Sequence, residues 1–251
     1  MHFEQMNDHY KSKHYPKGSV FARLNTENKK SSVILLVMLV LFAAALGAVL
    51  IWEIALTAGY AGEGNSESVK IGIILLSITG FFFLLCILGI VFSVKNFRKG
   101  VGEIIEKAMI STGLSEEELK EFDRQAMEPS SYILRFKSKL AAAVAEQQNG
   151  ILTKDYLWLG NTANEIMKCQ DIVGVCFYQW SFYVNKRKIW CRSISVLNRQ
   201  GTAASAEASE ENGLAFIELL TAAYPHIHIE KKLLSEGKEY DDWRSSLLSQ
   251  V

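Results

Sequence analysis

Two uninterrupted apolar runs dominate the pattern of hydrophobic and polar positions. Ser32 to Ile51 (SVILLVMLVLFAAALGAVLI) and Ile71 to Val94 (IGIILLSITGFFFLLCILGIVFSV) carry no charged side chain. Each exceeds the roughly 18 apolar residues that span a hydrocarbon core of about 30 Å at about 1.5 Å per residue. A soluble core helix keeps one polar face, and neither run has one. The pattern predicts a two-helix transmembrane hairpin over 32–94, with spans at 32–54 and 71–94 and an outer loop at 55–70.

Beyond the hairpin the periodicity becomes amphipathic. Val101 to Ile110 (VGEIIEKAMI) places apolar residues at 101, 104, 105, 108 and 109, which is helix spacing, and Thr112-Gly113 ends it. Ser115-Glu116-Glu117-Glu118 is a capping box, so a second helix should run from there to about Met127, before Pro129. Residues 95–148 read as a helical connector. Ser130 to Lys139 alternates Tyr132, Leu134 and Phe136 as a strand does, and 141–147 fits either its extension or a helix.

Strand signals follow. Residues 151–159 read as one strand, although Leu152, Tyr156 and Trp158 fall out of phase with polar Lys154. Ile172 to Phe177 is a buried-strand type, continued after a bend by Trp180 to Val184. Asn185-Lys186-Arg187-Lys188 is a polar break. Ile189 to Leu197 is a further strand, and Asn198-Arg199-Gln200-Gly201 a hairpin turn with glycine where positive φ is expected. A weaker strand covers 202–208. Asn212 to Tyr224 forms an amphipathic helix with Leu214, Ile217 and Leu220 on its apolar face, stopped by Pro225. His226 to Ile229 adds an extended piece, and 231–251 a terminal tail or helix.

Charge sets the expected orientation. Lys11, Lys13, Lys17, Arg23, Lys29 and Lys30 precede the first run, and Lys95, Arg98 and Lys99 follow the second; the connection holds only Lys70. Lysine and arginine in short flanking segments stay cytoplasmic, so both termini should be cytoplasmic in the plasma membrane. A cleaved signal peptide fits less well, because the first run is longer than an h-region of about 7–15 residues. Residues 1–31 read as a polar cytoplasmic tail whose cations and aromatics either lie on anionic headgroups or are simply solvated. The 251 residues balance 27 basic against 27 acidic side chains, which removes the basic excess a nucleic-acid partner demands.

Together the elements suggest an α+β chain: a transmembrane hairpin followed by a cytoplasmic pleckstrin-homology-like domain at 149–230, with a partly open antiparallel sheet and a C-terminal helix. Leu152-Thr153-Lys154-Asp155-Tyr156 and Asp171-Ile172-Val173-Gly174-Val175 carry a resemblance. Their "lT-x-x-y" and "DIxxV" pattern resembles an uncharacterised family of bacterial membrane proteins that pairs a two-span hairpin with such a domain. In some of those proteins the domain ends in a helix and a Pro-x-apolar segment, as Pro225-His226-Ile227 does here. The resemblance implies a binding or scaffolding module and no enzyme activity.

Candidate chemistry is sparse. No phosphate-binding, nucleophile-elbow or zinc-protease motif occurs. Cys169, Cys176 and Cys191 are scattered, Cys86 lies inside a span, and all four read as buried hydrophobes or free thiols. His226, His228 and Glu230 alternate and could begin a metal site, but a surface or edge strand explains them better, and no metal or cofactor is expected. Glu53, just past Trp52, reads as an interfacial carboxylate. The strongest binding candidate is Lys186, Arg187, Lys188, Trp190 and Arg192, flanked by Trp180, Phe182 and Tyr183. Cations beside amphipathic rings suit a lipid or protein contact, but the plainer expectation is a solvated hairpin turn with core aromatics on either strand.

A helix-packing face at Ala43, Ala44, Gly47 and Ala48 admits close backbone approach, either to the second span or to another copy. The expected function is a non-enzymatic, membrane-tethered interaction module. The alternatives are an accessory subunit of a transport or secretion complex docked through the first span, and a membrane enzyme without a recognisable motif.

Overall fold

The structure, a computed structural model, describes residues 3–136, 150–160 and 162–250. In chain order, strand β1 (Glu4–Gln5) and helix α1 (Asp8–His14) precede two long helices, α2 (Val20–Gly62) and α3 (Ser66–Arg98). Helices α4 (Val101–Thr112) and α5 (Glu116–Ala126) follow. Next come strands β2 (Tyr132–Leu134), β3 (Gly150–Leu152), β4 (Tyr156–Leu159), β5 (Ile166–Lys168), β6 (Ile172–Val184), β7 (Arg187–Asn198) and β8 (Ala203–Glu207). Helix α6 (Glu210–Ala223), strand β9 (His228–Ser235) and helix α7 (Lys238–Leu248) complete the chain. The class is α+β, with two long apolar helices followed by antiparallel sheets. By contacts the chain divides into two units, Met1–Leu24 with Val101–Val251, and Asn25–Gly100.

In the unit Asn25–Gly100, α2 and α3 are long and apolar enough to cross a membrane. Their apolar side chains are largely exposed: Ile34, Met38, Leu41, Ile51, Phe81, Leu84 and Phe92 all project outward. In water that surface would cost about 25 cal/mol for each Å². The expected outer loop at 55–70 is mostly helical, because α2 continues to Gly62 and α3 begins at Ser66. Only Glu63-Gly64-Asn65 turns, with Gly64 at φ +74° and the Asn65 side chain accepting from the Ser68 N–H at 3.1 Å. The polar residues around the bend remain helical because α-helix satisfies the backbone in water as well as in lipid.

The other unit is built on two sheets. One has the order β1-β2-β3-β4-β5, all antiparallel; the other has the order β8-β7-β6-β9. Residues alternate sides along the first sheet. Leu134, Leu152, Leu157, Leu159 and Met167 join Val175, Ile194, Val196, Ala204 and Ala206 of the second sheet, with Phe216 and Leu220 of α6, in one core. On the opposite side Ile133, Ile151, Tyr156, Trp158 and Ile166 meet α4, α5 and the N-terminal segment. The outer face of the second sheet is covered by α7, through Trp243 and Leu247 against Cys176 and Leu197. A Cβ on Gly174 would sit 2.3 Å from Leu247 Cδ1, so glycine permits this close approach.

Several expectations are corrected. Within the expected tail at 1–31, residues 3–24 are folded and not solvated. Phe3, Met6, Tyr10, Tyr15, Val20, Phe21 and Leu24 are buried, and β1 pairs with β2 (Glu4 opposite Ile133, Gln5 opposite Tyr132). Widely spaced apolar residues among lysines hid this, since β1 buries neither of its own side chains and α1 buries only Tyr10. Residues 151–159 form two strands, because Thr153-Lys154-Asp155 turns the chain between β3 and β4. The connector is not separate from the sheets: α4 and α5 cover the first sheet, and β2 joins it, while 137–149 lie outside the described residues.

The segment 231–251 holds most of β9, the edge strand of the second sheet, and all of α7, which packs on that sheet. The single antiparallel sheet ending in a helix is replaced by two sheets, with β9 parallel to β6 after α6. Leu214 is 53% exposed, whereas Phe216, Ile217 and Leu220 form the buried face of α6. The helices at 101–112 and 116–126 form as the periodicity indicates, and the capping box closes at Ser115 and Glu118.

Candidate functional site

Strand β6 and strand β7 are longer than their neighbours. β8 pairs with β7 only over Ser193–Leu197, and β9 pairs with β6 only over Gly174–Gln179. The remainder, Trp180–Val184 paired with Arg187–Cys191, is a two-stranded ribbon projecting past the four-stranded sheet. Asn185 and Lys186 close it with φ of 48° and 65°, the left-handed pair of a tight two-residue hairpin turn that matches strand twist. Asparagine tolerates that conformation; lysine pays for it.

Strand alternation assigns the side chains to faces. Tyr183 lies opposite Lys188, and Ser181 opposite Trp190, so Tyr183, Lys188 and Trp190 share one face. Tyr183 is 70% exposed and Trp190 50%. The Lys188 ammonium stands 4.0 Å from the Trp190 ring centroid, a cation–π contact that holds both at the surface. On the other face Trp180 stacks at a tilt on Phe182, centroids 5.5 Å apart, and its indole N–H donates to Ser193 Oγ at 2.9 Å.

Of the sequence-selected set, Lys186, Arg187, Lys188 and Trp190 gather at the ribbon. Arg192 does not: its guanidinium pairs with Glu210 at 2.5 Å, at the start of α6, and lies over the Phe177 ring at 5.9 Å. Tyr183, treated as a flanking aromatic in the sequence, belongs to the exposed face. Its register opposite Lys188 was recoverable from the alternation around the Asn185-Lys186 turn.

The helix-packing set also divides. Ala43 is buried and Gly47 approaches the Phe83 ring, where a Cβ would lie 3.6 Å from Cε2; both face α3. Ala44 and Ala48 face outward. Further along, a Cβ on Gly89 would lie 3.0 Å from Leu39 Cδ1, and one on Gly72 would lie 2.2 Å from Thr57 Oγ1. Glycines on α3 therefore set the spacing of this hairpin as much as the alanines of α2. Glu53 is not directed only to headgroup water: its Oε1 accepts from Thr79 Oγ1 at 3.1 Å, and Oε2 is buried.

The Leu152–Tyr156 motif has a structural role. Thr153 Oγ1 accepts from the Tyr156 N–H at 2.9 Å and donates to Gln125 Oε1 at 3.0 Å. Gln125 Oε1 also accepts from the Asp155 N–H, and its Nε2 donates to Asp155 Oδ2 at 2.6 Å. The pattern thus staples the β3–β4 turn to α5. Nearby, the half-buried Asp123 carboxylate accepts from the Val20 N–H at 2.6 Å, capping α2 from α5; desolvation pushes its carboxyl above the ordinary value against hydrogen bonds from Ser19, Val20 and Phe21.

Other chemistry-bearing residues disperse. His226 packs edge-on to Tyr224 outside β9, while His228 and Glu230 are on that strand. Among the described residues no group of three His, Cys, Asp or Glu side chains gathers as a metal site. All four cysteines are buried, and burial pushes the Cys169 and Cys176 thiols up to about 12, which suppresses thiolate chemistry. Comparisons with family models, curated proteins and solved structures find no match.

Proposed function

We propose that this chain is a membrane-anchored, non-enzymatic interaction module, held by α2 and α3 in the plasma membrane with both termini cytoplasmic. The observation that carries this reading is the pairing of β1 with β2. These strands lie on opposite sides of the apolar hairpin in sequence, yet belong to one sheet. A strand cannot pair with another across a bilayer, so the pairing supports an even number of crossings. The basic flanks and the single lysine of the connection support a cytoplasmic side for both ends. The inert thiols and the absence of a recognisable catalytic motif in the sequence favour binding over catalysis.

The folded unit is proposed to serve as pleckstrin-homology-like modules do, by presenting sheet-borne surfaces to a partner. The run β6-β7-β8-α6, an antiparallel meander closed by a helix, supports that comparison, while parallel β9 and α7 set this unit apart. A second reading, an accessory subunit of a transport or secretion complex, is favoured by the outward Ala44 and Ala48.

The test is extraction of native membranes with alkaline carbonate, followed by detergent solubilisation and mass spectrometry of co-purifying chains. Retention in the carbonate pellet is expected; release into the supernatant would refute the anchor. A partner lost when Ala44 and Ala48 are changed to Leu would favour the subunit reading. A broad substrate screen that found turnover would overturn the non-enzymatic assignment.

A further inference from the structure

We propose that the β6–β7 ribbon is a second, reversible membrane contact: its tip binds the anionic phospholipid headgroup layer of the bilayer that anchors the chain. This rests on, and deepens, the reading of the chain as membrane-anchored.

Four observations converge on it. First, the ribbon projects past β8 and β9, so its tip is not needed to cover a core. An isolated two-stranded ribbon is marginal in water and gains from a surface to lie on. Second, Tyr183, Val184 and Trp190 are exposed at that tip. Tyrosine and tryptophan favour the headgroup layer, where the ring is half desolvated and the polar edge stays wet. Third, no Asp or Glu occurs from Ile172 to Ala206, while Lys186, Arg187 and Lys188 occupy three consecutive positions. Among the described residues no ion pair engages these three, in contrast to Arg192, which Glu210 neutralises. Fourth, Lys188 is held over Trp190, so one cation and one ring are already arranged side by side.

The charge complementarity selects the occupant. The tip joins cations and amphipathic rings with no carboxylate from Ile172 to Ala206, which matches a uniformly anionic headgroup layer. Each cation near an anionic leaflet favours association by about fivefold, so three reach about a hundredfold. Covalent tethering to the same bilayer raises the effective lipid concentration further, so a weak contact suffices.

The test is amine-reactive footprinting of the full chain, reconstituted into nanodiscs of phosphatidylcholine alone or with one phosphatidylglycerol in three, and read by mass spectrometry. Lys107 and Lys238, exposed elsewhere, are internal references. Modification of Lys186 and Lys188 should slow at least about fivefold in the anionic discs and recover in high salt. Trp190→Ser and Arg187→Gln should each restore much of the reactivity, while Lys120→Gln should not.

Equal reactivity in both discs would overturn the proposal. So would protection that is equal in both discs and indifferent to salt, which would indicate apolar insertion without headgroup recognition. Protection in detergent that grows with protein concentration would assign the ribbon to a second copy and also overturn it. Failure of the chain to enter discs at all would instead remove the membrane anchor on which the proposal stands.

Discussion

Phe21→Ala is the sharpest test of the N-terminal segment as part of the folded unit. Phe21 is fully buried and meets Phe122 edge-on, centroids 6.2 Å apart, in a cluster with Tyr156 and Trp158 of the first sheet. Truncating a buried phenylalanine costs about 3–5 kcal/mol, through lost transfer free energy and the cavity left behind. The edge-on pair accounts for roughly 0.5–1.5 kcal/mol of that. For a unit of this size each kcal/mol shifts Tm by roughly 2–4 °C, so the variant should melt about 6–20 °C lower. The assay is thermal unfolding of the full chain in detergent, followed by tryptophan fluorescence, to which Trp158 in the same cluster reports directly. Lys17→Ala, at an exposed position of the same segment, is the control and should stay within about 0.5 kcal/mol. A Phe21→Ala variant indistinguishable from Lys17→Ala would refute the reasoning and return residues 3–24 to a solvated tail.

Further outcomes follow from the same geometry. Lys168 and the Ser115 N–H hold the Glu118 carboxyl below the usual carboxylate range. Its stabilisation is therefore complete above the unfolded-state pKa of about 4.3 and is lost as pH falls through the lower folded-state value. Glu118→Gln should cost roughly 0.5–1 kcal/mol at neutral pH and little in strong acid, flattening the acid limb of a Tm-against-pH curve. Gln125→Leu leaves the Asp155 N–H without its acceptor and the Thr153 hydroxyl with only the Tyr156 carbonyl, and should lower stability by about 1–3 kcal/mol in urea unfolding. Cys169 and Cys176 should resist a disulfide reagent at pH 8 until denaturant is added; rapid labelling of the native chain would contradict their burial.

The two long apolar helices, α4, the capping box and most of β7 were legible because each leaves a local signature, whereas β6 runs unbroken from Ile172 to Val184 where a bend was expected, and the expected break at 185–188 narrows to the Asn185-Lys186 turn. The first sheet was obscured by burial on both faces: Leu157 and Leu159 face the second sheet while Tyr156 and Trp158 face helices. The β4 sequence therefore reads as a continuous apolar run without alternation. The link between Glu4-Gln5 and Tyr132-Ile133 was invisible for a different reason, since two backbone-paired residues separated by the hairpin leave no local signature. At the ribbon, residue types were readable in order, but its projection depends on where β8 and β9 stop pairing, which is a tertiary property. Arg192 was grouped with the tip by proximity in sequence, and only the fold brings Glu210 to it.

The most direct test of the account is paired-cysteine mapping in membranes, using Gln5→Cys with Tyr132→Cys, whose Cα positions are register partners. Mild oxidation should cross-link the two. In intact cells both should resist an impermeant maleimide that labels Glu63→Cys in the turn between the long helices. That outcome fits one sheet closed from both ends of a membrane hairpin. Absence of a cross-link, with one of the two cysteines labelled from outside and the other only after lysis, would place the ends on opposite sides and contradict the account.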